Sequence, residues 1–503
     1  MERKEISSGN ETSMENDISK EKDIGKENEM SKENDIGAGE DKHNKKEVTS
    51  KSVMDMTKGN PTKLLLRFAV PLLIGNVFQQ VYNLVDAAVI GHWGNEAALA
   101  AVGMSGPLYF LLQSFVIGMS IGVGIVVSQY YGAGDEKMVK KTIGNSWYPV
   151  YISAIIMSLI GFFGVRTIVG LIDVTPEAEP YAVTYISVTS LGIVLVATFN
   201  LASSILRALG DSKTPIMFLI VSCIINTILD LIFVIRLGMG VFGVALATVI
   251  AQTLAAAFCL TYAYMSNEYF RIKKSDLKFD AILQKKIIRV GIPVGVQNAF
   301  IAFSLVILQK VVNGFGTTFM AGFTTVGKIE QLIQQPFMST GAALATYTGQ
   351  NMGIGDTERV KKGFVAATKI TTAFALAILV IFHAFAPWIV MIIGGSEDSM
   401  AIGVEGIRIT SCFYFFLGLI YTTRNVLNGS GDAWFSMFTG IIEVFCRIGF
   451  AVLLTRISWI GAMGVWFATG LTWFFNGTIS SIRYKTGGWK NKSVIRTRDV
   501  NSY

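Results

Sequence analysis

From residue 63 onward the chain alternates long apolar runs with short polar connectors. Twelve runs fall near 64–90, 97–128, 143–172, 181–206, 215–236, 241–265, 287–313, 317–347, 364–393, 400–426, 434–456 and 461–482. A helix needs about 20 apolar residues to cross the hydrocarbon layer, so each run predicts a transmembrane helix, and the longer ones predict tilting or projection. The expected fold is an all-α membrane protein of twelve spans.

The first run breaks its own pattern. Asn76, Gln79, Gln80, Asn83 and Asp86 recur at helical spacing among Leu, Ile, Val and Phe, which confines them to an arc of roughly 120° on one helix face. A carboxylate at bilayer depth costs several kcal/mol unless it faces protein or water, so Asp86 is a functional candidate. The fifth run repeats the motif: Asn226 and Asp230 stand one helical turn apart.

Residues 1–58 do not share the pattern. They are polar, loosely repetitive and carry 15 acidic against 11 basic side chains, a composition expected to form a disordered tail. No signal-peptide pattern is present, so the first span is expected to serve as an uncleaved anchor.

An internal repeat organises the rest. At an offset of 222, Arg67, Pro71 and Asn76 match Arg289, Pro293 and Asn298. At 221, Gln129, Gly132, Gly134 and Asp135 match Gln350, Gly353, Gly355 and Asp356, and Gly210-Asp211 matches Gly431-Asp432. Six helices per repeat give both halves the same orientation, so two six-helix lobes should be related by a pseudo-two-fold axis along the membrane normal. The expected organisation is an N-terminal tail (1–58), a first lobe (59–265), a linker (266–286), a second lobe (287–485) and a C-terminal tail (486–503). The halves differ where it matters, because Gln79, Gln80, Asn83 and Asp86 carry over to Ile301, Ala302, Leu305 and Leu308, and Asn226 and Asp230 to Arg447 and Ala451. If one half handles a coupling ion, it is the first.

Charge then fixes an expected topology. The formal net charge of +7 resolves into −4 on residues 1–58 and +11 on the remainder, where Lys and Arg cluster in alternate connectors such as Lys137–Lys141, Arg271–Arg289 and Arg359–Lys362. By the positive-inside rule both termini are expected on the cytoplasmic side of the cell membrane. With 51% hydrophobic residues and a mean hydropathy of +0.49, the expected surroundings are a bilayer and no nucleic acid. Cys223, Cys259, Cys412 and Cys446 lie inside apolar runs without ligand spacing, and the three histidines are scattered, so no metal centre or cofactor and no enzymatic chemistry is expected.

Two carboxylates beside Asn and Thr oxygens can bind a proton, because desolvation and a like charge both oppose ionisation. The same hard oxygens suit Na+. The residues leave H+ and Na+ both open, with a purely structural role as the alternative. In the second half Glu443 and Arg447 form a favourable i,i+4 pair, while Lys328 and Glu330 divide between structural pairing and cavity contact.

Taken together, PLLIGNVFQQVYNLVDAAVIG, SQYYGAGD, LRALGDSKTP, NTILD, GVALAT and TGQNMGIGD make the chain from about Lys63 to Lys485 resemble the multidrug and toxic compound extrusion (MATE) family, in its prokaryotic branch with an N-lobe carboxylate cluster. The resemblance implies an antiporter that exports amphipathic, cationic organic compounds against inward H+ or Na+ flow. It implies an ion-coupling set of Asp86, Asp230, Asn226, Gln79 and Thr248, and matches Pro71 to a first-helix proline linked to bending. Asn76, Asn83, Gln297, Asn298 and Glu330 are the substrate-cavity candidates, and a monomer is expected. The acid that part of the family carries on the seventh span is missing. A flippase for a lipid-linked substrate on the same fold is the alternative reading.

Overall fold

The computed structural model describes residues 53–170 and 175–495. These residues are helical and contain no β-strand. All twelve apolar runs coincide with helices, here named α1 (Pro61–Trp93), α2 (Glu96–Gly132), α3 (Glu136–Phe163), α4 (Glu179–Ala208), α5 (Lys213–Arg236) and α6 (Gly240–Ser266) in the first half. The second half contributes α7 (Ala281–Asn313), α8 (Thr317–Gly353), α9 (Thr357–Ile393), α10 (Glu397–Ser411 and Tyr414–Ser430), α11 (Ala433–Thr455) and α12 (Gly464–Lys485). Among the described residues nine are long and apolar enough to span, and α10, bent by 52° at its break, makes ten. The remaining two are α8 and α12, where Lys328, Glu330, Gln331, Gln334 and Gln335 on one helix and Asn476 on the other dilute the apolar composition.

Capping sets where the repeats begin. Asn60 accepts from the backbone N–H groups of Thr62 and Lys63, and Asp280 accepts from those of Ile282 and Leu283, satisfying donors that a helix start leaves free. The linker therefore ends at Asp280 and α7 starts six residues before the expected boundary of 287. Asp280 also receives Lys141 Nζ at 2.6 Å, tying the linker to the start of α3.

The interior is built from one core centred on α2–α4 with the first part of α7, a second on α8–α12, and a third that joins α1 to α8 and α9. At the contact of α2 with α7 the backbones touch, because a Cβ on Gly118 would lie 2.3 Å from the Gly295 nitrogen and one on Gly122 2.7 Å from that of Gly291. Glycine is required at such a close approach.

Two boundaries of the expected tails need correction. Residues 53–58 belong to the expected N-terminal tail, yet Met56 is fully buried and its carbonyl accepts from Asn351 and Arg359. Residues 486–495 belong to the expected C-terminal tail, yet Trp489 is buried and stacks on Tyr484, and Val494 is buried as well. A single large apolar side chain in a polar context has no periodicity to reveal it. Residues 1–52 and 496–503 of those tails lie outside the described residues.

Candidate functional site

Helix α1 runs unbroken through Pro71, whose missing N–H leaves one i→i−4 bond unmade, and Pro71 itself is half-buried. Past it the polar stripe divides. Gln79 and Tyr82 turn into the first lobe and line a cavity, whereas Asn83 is exposed and lines no part of it. Asn76 borders the same cavity and also donates to Ser339 Oγ of α8 at 3.2 Å, so it joins the two halves.

Asp86 is 7% exposed and Asp230 fully buried. Asp230 ends the α-helical part of α5, which continues as a π-helical turn over Leu231–Arg236. Such widened turns re-aim side chains and are frequent at functional sites. The two carboxyls lie within side-chain hydrogen-bonding range of each other. Asn226, one turn before Asp230, takes the amide orientation that gives its polar atoms complementary partners. Its nitrogen donates to Asp86 Oδ1 at 2.9 Å and its oxygen accepts from the Thr248 backbone N–H at 3.2 Å. Thr248 Oγ1 donates to the Val244 carbonyl. Neither oxygen of Asp230 has a donor, although both are buried.

Four of the five expected ion-coupling residues, Asp86, Asp230, Asn226 and Thr248, are thereby brought together from three helices, and Gln79 lines the adjoining cavity. That cavity has a volume of about 150 Å³ and is bounded by Asn76, Gln79, Tyr82, Asn200, Ser203, Arg207, Asn226 and Thr248, enough for several waters among polar groups. Tyr82, Asn200, Ser203 and Arg207 were not anticipated. The i,i+3 spacing of Asn200 and Ser203 within an apolar run was the available signal. Chemically, two facing carboxylates with a single amide donor between them cannot both stay ionised without a counter-charge, because at close range in a poorly screened interior their repulsion amounts to several kcal/mol. The arrangement can take up a proton or a small cation.

The second half builds a different centre. Glu443 Oε1 receives Arg447 Nη2 at 2.7 Å, and Oε2 receives Arg424 Nη2 at 3.2 Å and Asn476 Nδ2 at 3.1 Å. The expected Glu443–Arg447 pair is present, while Arg424 and Asn476 escaped notice because their partner lies on another helix. Glu330 lies near Thr410 and Arg447 and has one buried oxygen without a donor, whereas its neighbour Lys328 is exposed. Gln297, a cavity candidate, is instead a joint between helices: it is buried and donates to the Ser436 carbonyl and to Thr439 Oγ1 on α11. Asn298 is half-buried beside it.

Comparison with known proteins adds a match to the MatE family model over residues 71–232 and again over 293–453. The two matches begin 222 residues apart, the offset of the internal repeat. A probable multidrug resistance protein, YpnP of Bacillus subtilis, is 28% identical over 438 residues, covering 87% of this chain and 97% of that protein. An FAD transporter of Shewanella oneidensis is 20% identical over 404 residues, covering 80% of this chain and 88% of that protein. Among solved structures, the outward-facing conformation of a multidrug resistance MATE family transporter superposes with a TM-score of 0.81 at 22% identity, covering 88% of this chain and 99% of that one.

Proposed function

The chain belongs to the MatE family of membrane transporters, and from that premise we propose that it is a cation-coupled antiporter exporting amphipathic, cationic organic compounds by alternating access. The observation that carries the reading is the Asp86–Asp230 pair, buried, mutually facing and short of donors. Uptake of H+ or Na+ there and uptake of the organic cation favour opposite-facing states, and that difference in affinity is what couples the two flows. Asn226, Thr248 and Gln79 orient and hydrate the ion, and the half-buried Pro71 lets α1 flex as the pair loads. The face that carries Lys137, Lys213, Arg359 and Arg483 is cytoplasmic, which puts both termini in the cytoplasm.

The test is transport by purified protein in liposomes, with proton and sodium gradients imposed separately. Uphill movement of a cationic dye is expected under one of them and is expected to vanish in Asp86→Asn and Asp230→Asn. Parent-like transport by both variants sinks the proposal. A second reading, a phosphate-bearing anionic cargo, is favoured by the relative named for FAD. It extends the flippase alternative, and competition of dye export by nucleotides or phospholipid headgroups separates the two.

A further inference from the structure

The repeat motif around Gln129 and Gln350 takes no part in the ion or cargo chemistry, yet both side chains are fully buried. They lie where the ends of α2 and α8 cross. Gln129 Nε2 donates to the Gly429 carbonyl of the second half at 2.9 Å, and Gln350 Nε2 donates to the Ala208 carbonyl of the first half at 3.1 Å. Ala208 and Gly429 are 221 residues apart, as are Gln129 and Gln350, so one bond is the two-fold image of the other. The backbones meet with the same symmetry: a Cβ on Gly132 would stand 2.0 Å from the Gln350 carbonyl oxygen, and one on Gly353 2.1 Å from that of Gln129.

Each glutamine also holds a segment that flanks the helices, Met54–Met56 before α1 or Lys492–Val494 after α12. Gln350 Oε1 accepts from the Met56 N–H at 2.8 Å, and Gln129 Oε1 accepts from the Val494 N–H at 2.8 Å. The two terminal segments run over matching turns: Met54 N–H donates to the carbonyl of Gly210, and the Met54 and Lys492 carbonyls lie against Gly210 and Gly431, with φ of +92° and +94°. Met54–Met56 therefore bonds to both halves at once. Separating the halves on this face must break both side-chain hydrogen bonds and part the closely packed backbones, a cost that favours the closed state.

We propose that Gln129 and Gln350 are positioning residues that hold the terminus-bearing face shut, each using its amide nitrogen to bind the opposite half and its oxygen to seat a terminal segment as part of the gate. The proposal rests on the alternating-access reading, but its test needs neither cargo nor coupling ion. In a background with the four native cysteines replaced by alanine, Ser339→Cys on α8 is labelled by a membrane-impermeant maleimide in vesicles of defined orientation. Gln129→Ala and Gln350→Ala are each expected to speed labelling from the terminus-bearing side about tenfold, with no gain from the opposite side. Gln→Glu at either position keeps the acceptor for the terminal segment and loses the donor to the other half, so it is expected to open this face as well. Spin labels at the exposed Glu136 and Lys362 are expected to gain a longer-distance population in the same variants. Parent-like rates and distances in both alanine variants, or a rise in labelling that is equal from both sides, overturn the gate. Moved labelling without any dye export would instead sink the cargo reading and leave the gate standing.

Discussion

The two halves each bury an acidic centre, and the centres are opposites. Glu443 is saturated by two guanidinium groups and an amide, whereas Asp86 and Asp230 face each other with one amide between them and two oxygens unserved. A buried carboxylate that has its counter-charges built in has no reason to bind another cation. One that lacks them must acquire a proton or an ion to remain buried. The same scaffold thus carries a saturated ionic joint in one half and an undersupplied carboxylate pair in the other, and on the proposed function that asymmetry separates support from work.

The strongest way to break that contrast is to neutralise each centre in turn. Asp86→Asn and Asp230→Asn are expected to lower gradient-driven dye export by at least about tenfold, the scale of a typical coupling free energy, while thermal stability in detergent holds or rises because a like-charge contact is gone. Glu443→Gln is expected to do the reverse. It strands Arg424 and Arg447, whose Nε atoms already lack partners, and costs about 3–5 kcal/mol of stability. The double variant Glu443→Leu with Arg447→Leu is expected to recover part of that loss. If Glu443→Gln abolished coupling without lowering the unfolding midpoint, the second centre would be a working site and the contrast would fall.

Much of this difference was legible in the sequence. The repeat register exposed which acids survive in each half, and helical spacing put Asn226 and Asp230 on one face. The capture of Asp86 Oδ1 by Asn226 was not legible, since it joins residues 140 positions apart. Arg424 looked like a residue near the end of an apolar run because its partner Glu443 lies 19 residues on, in the next helix. The glutamine clasp was visible only as a repeated motif, because the groups it holds are backbone carbonyls and N–H groups that no side-chain pattern reports. Boundaries at 58 and 486 misplaced Met56 and Trp489 for the same reason: isolated anchors leave no periodic trace.

The contacts between the halves sharpen the comparison at smaller energies. Where α2 meets α7, Gly118, Gly122, Gly291 and Gly295 stand against backbone of the facing helix; their repeat counterparts are Ser339 and Ala343 on α8 and Ala69 and Leu73 on α1. One contact is therefore a tight backbone seam and the other is spaced by side chains. Gly122→Ala is expected to destabilise by about 1–3 kcal/mol through forced separation of the helices. Gly103→Ala, on the same α2 but with nothing within 4 Å of its Cβ, is expected to be neutral or to gain up to about 1 kcal/mol of helix propensity. Unfolding midpoints of the two variants side by side check this. Equal midpoints would mean that the seam yields as readily as open helix.

The smallest expected difference concerns the two helix starts. Asn60 caps α1 with a neutral amide and Asp280 caps α7 with a carboxylate, so only the second can respond to acid. Burial pushes the Asp280 carboxyl up, but the Lys141 ammonium and the N–H groups of Leu283 and Ile282 outweigh it and hold the group below the usual carboxylate range. A carboxyl more acidic when folded than when unfolded contributes stability above its unfolded pKa, and that contribution disappears as the pH falls through the folded value. The cap at α7 is thus expected to weaken below about pH 4, while the cap at α1 stays constant. Asp280→Ala is expected to cost about 1 kcal/mol at neutral pH and to lose that penalty progressively in acid. Asn60→Ala is expected to cost a similar amount at every pH. Parallel unfolding curves for the two variants between neutral pH and pH 3 would show that Lys141 and the helix N–H groups add nothing to the Asp280 carboxylate beyond what a neutral amide provides.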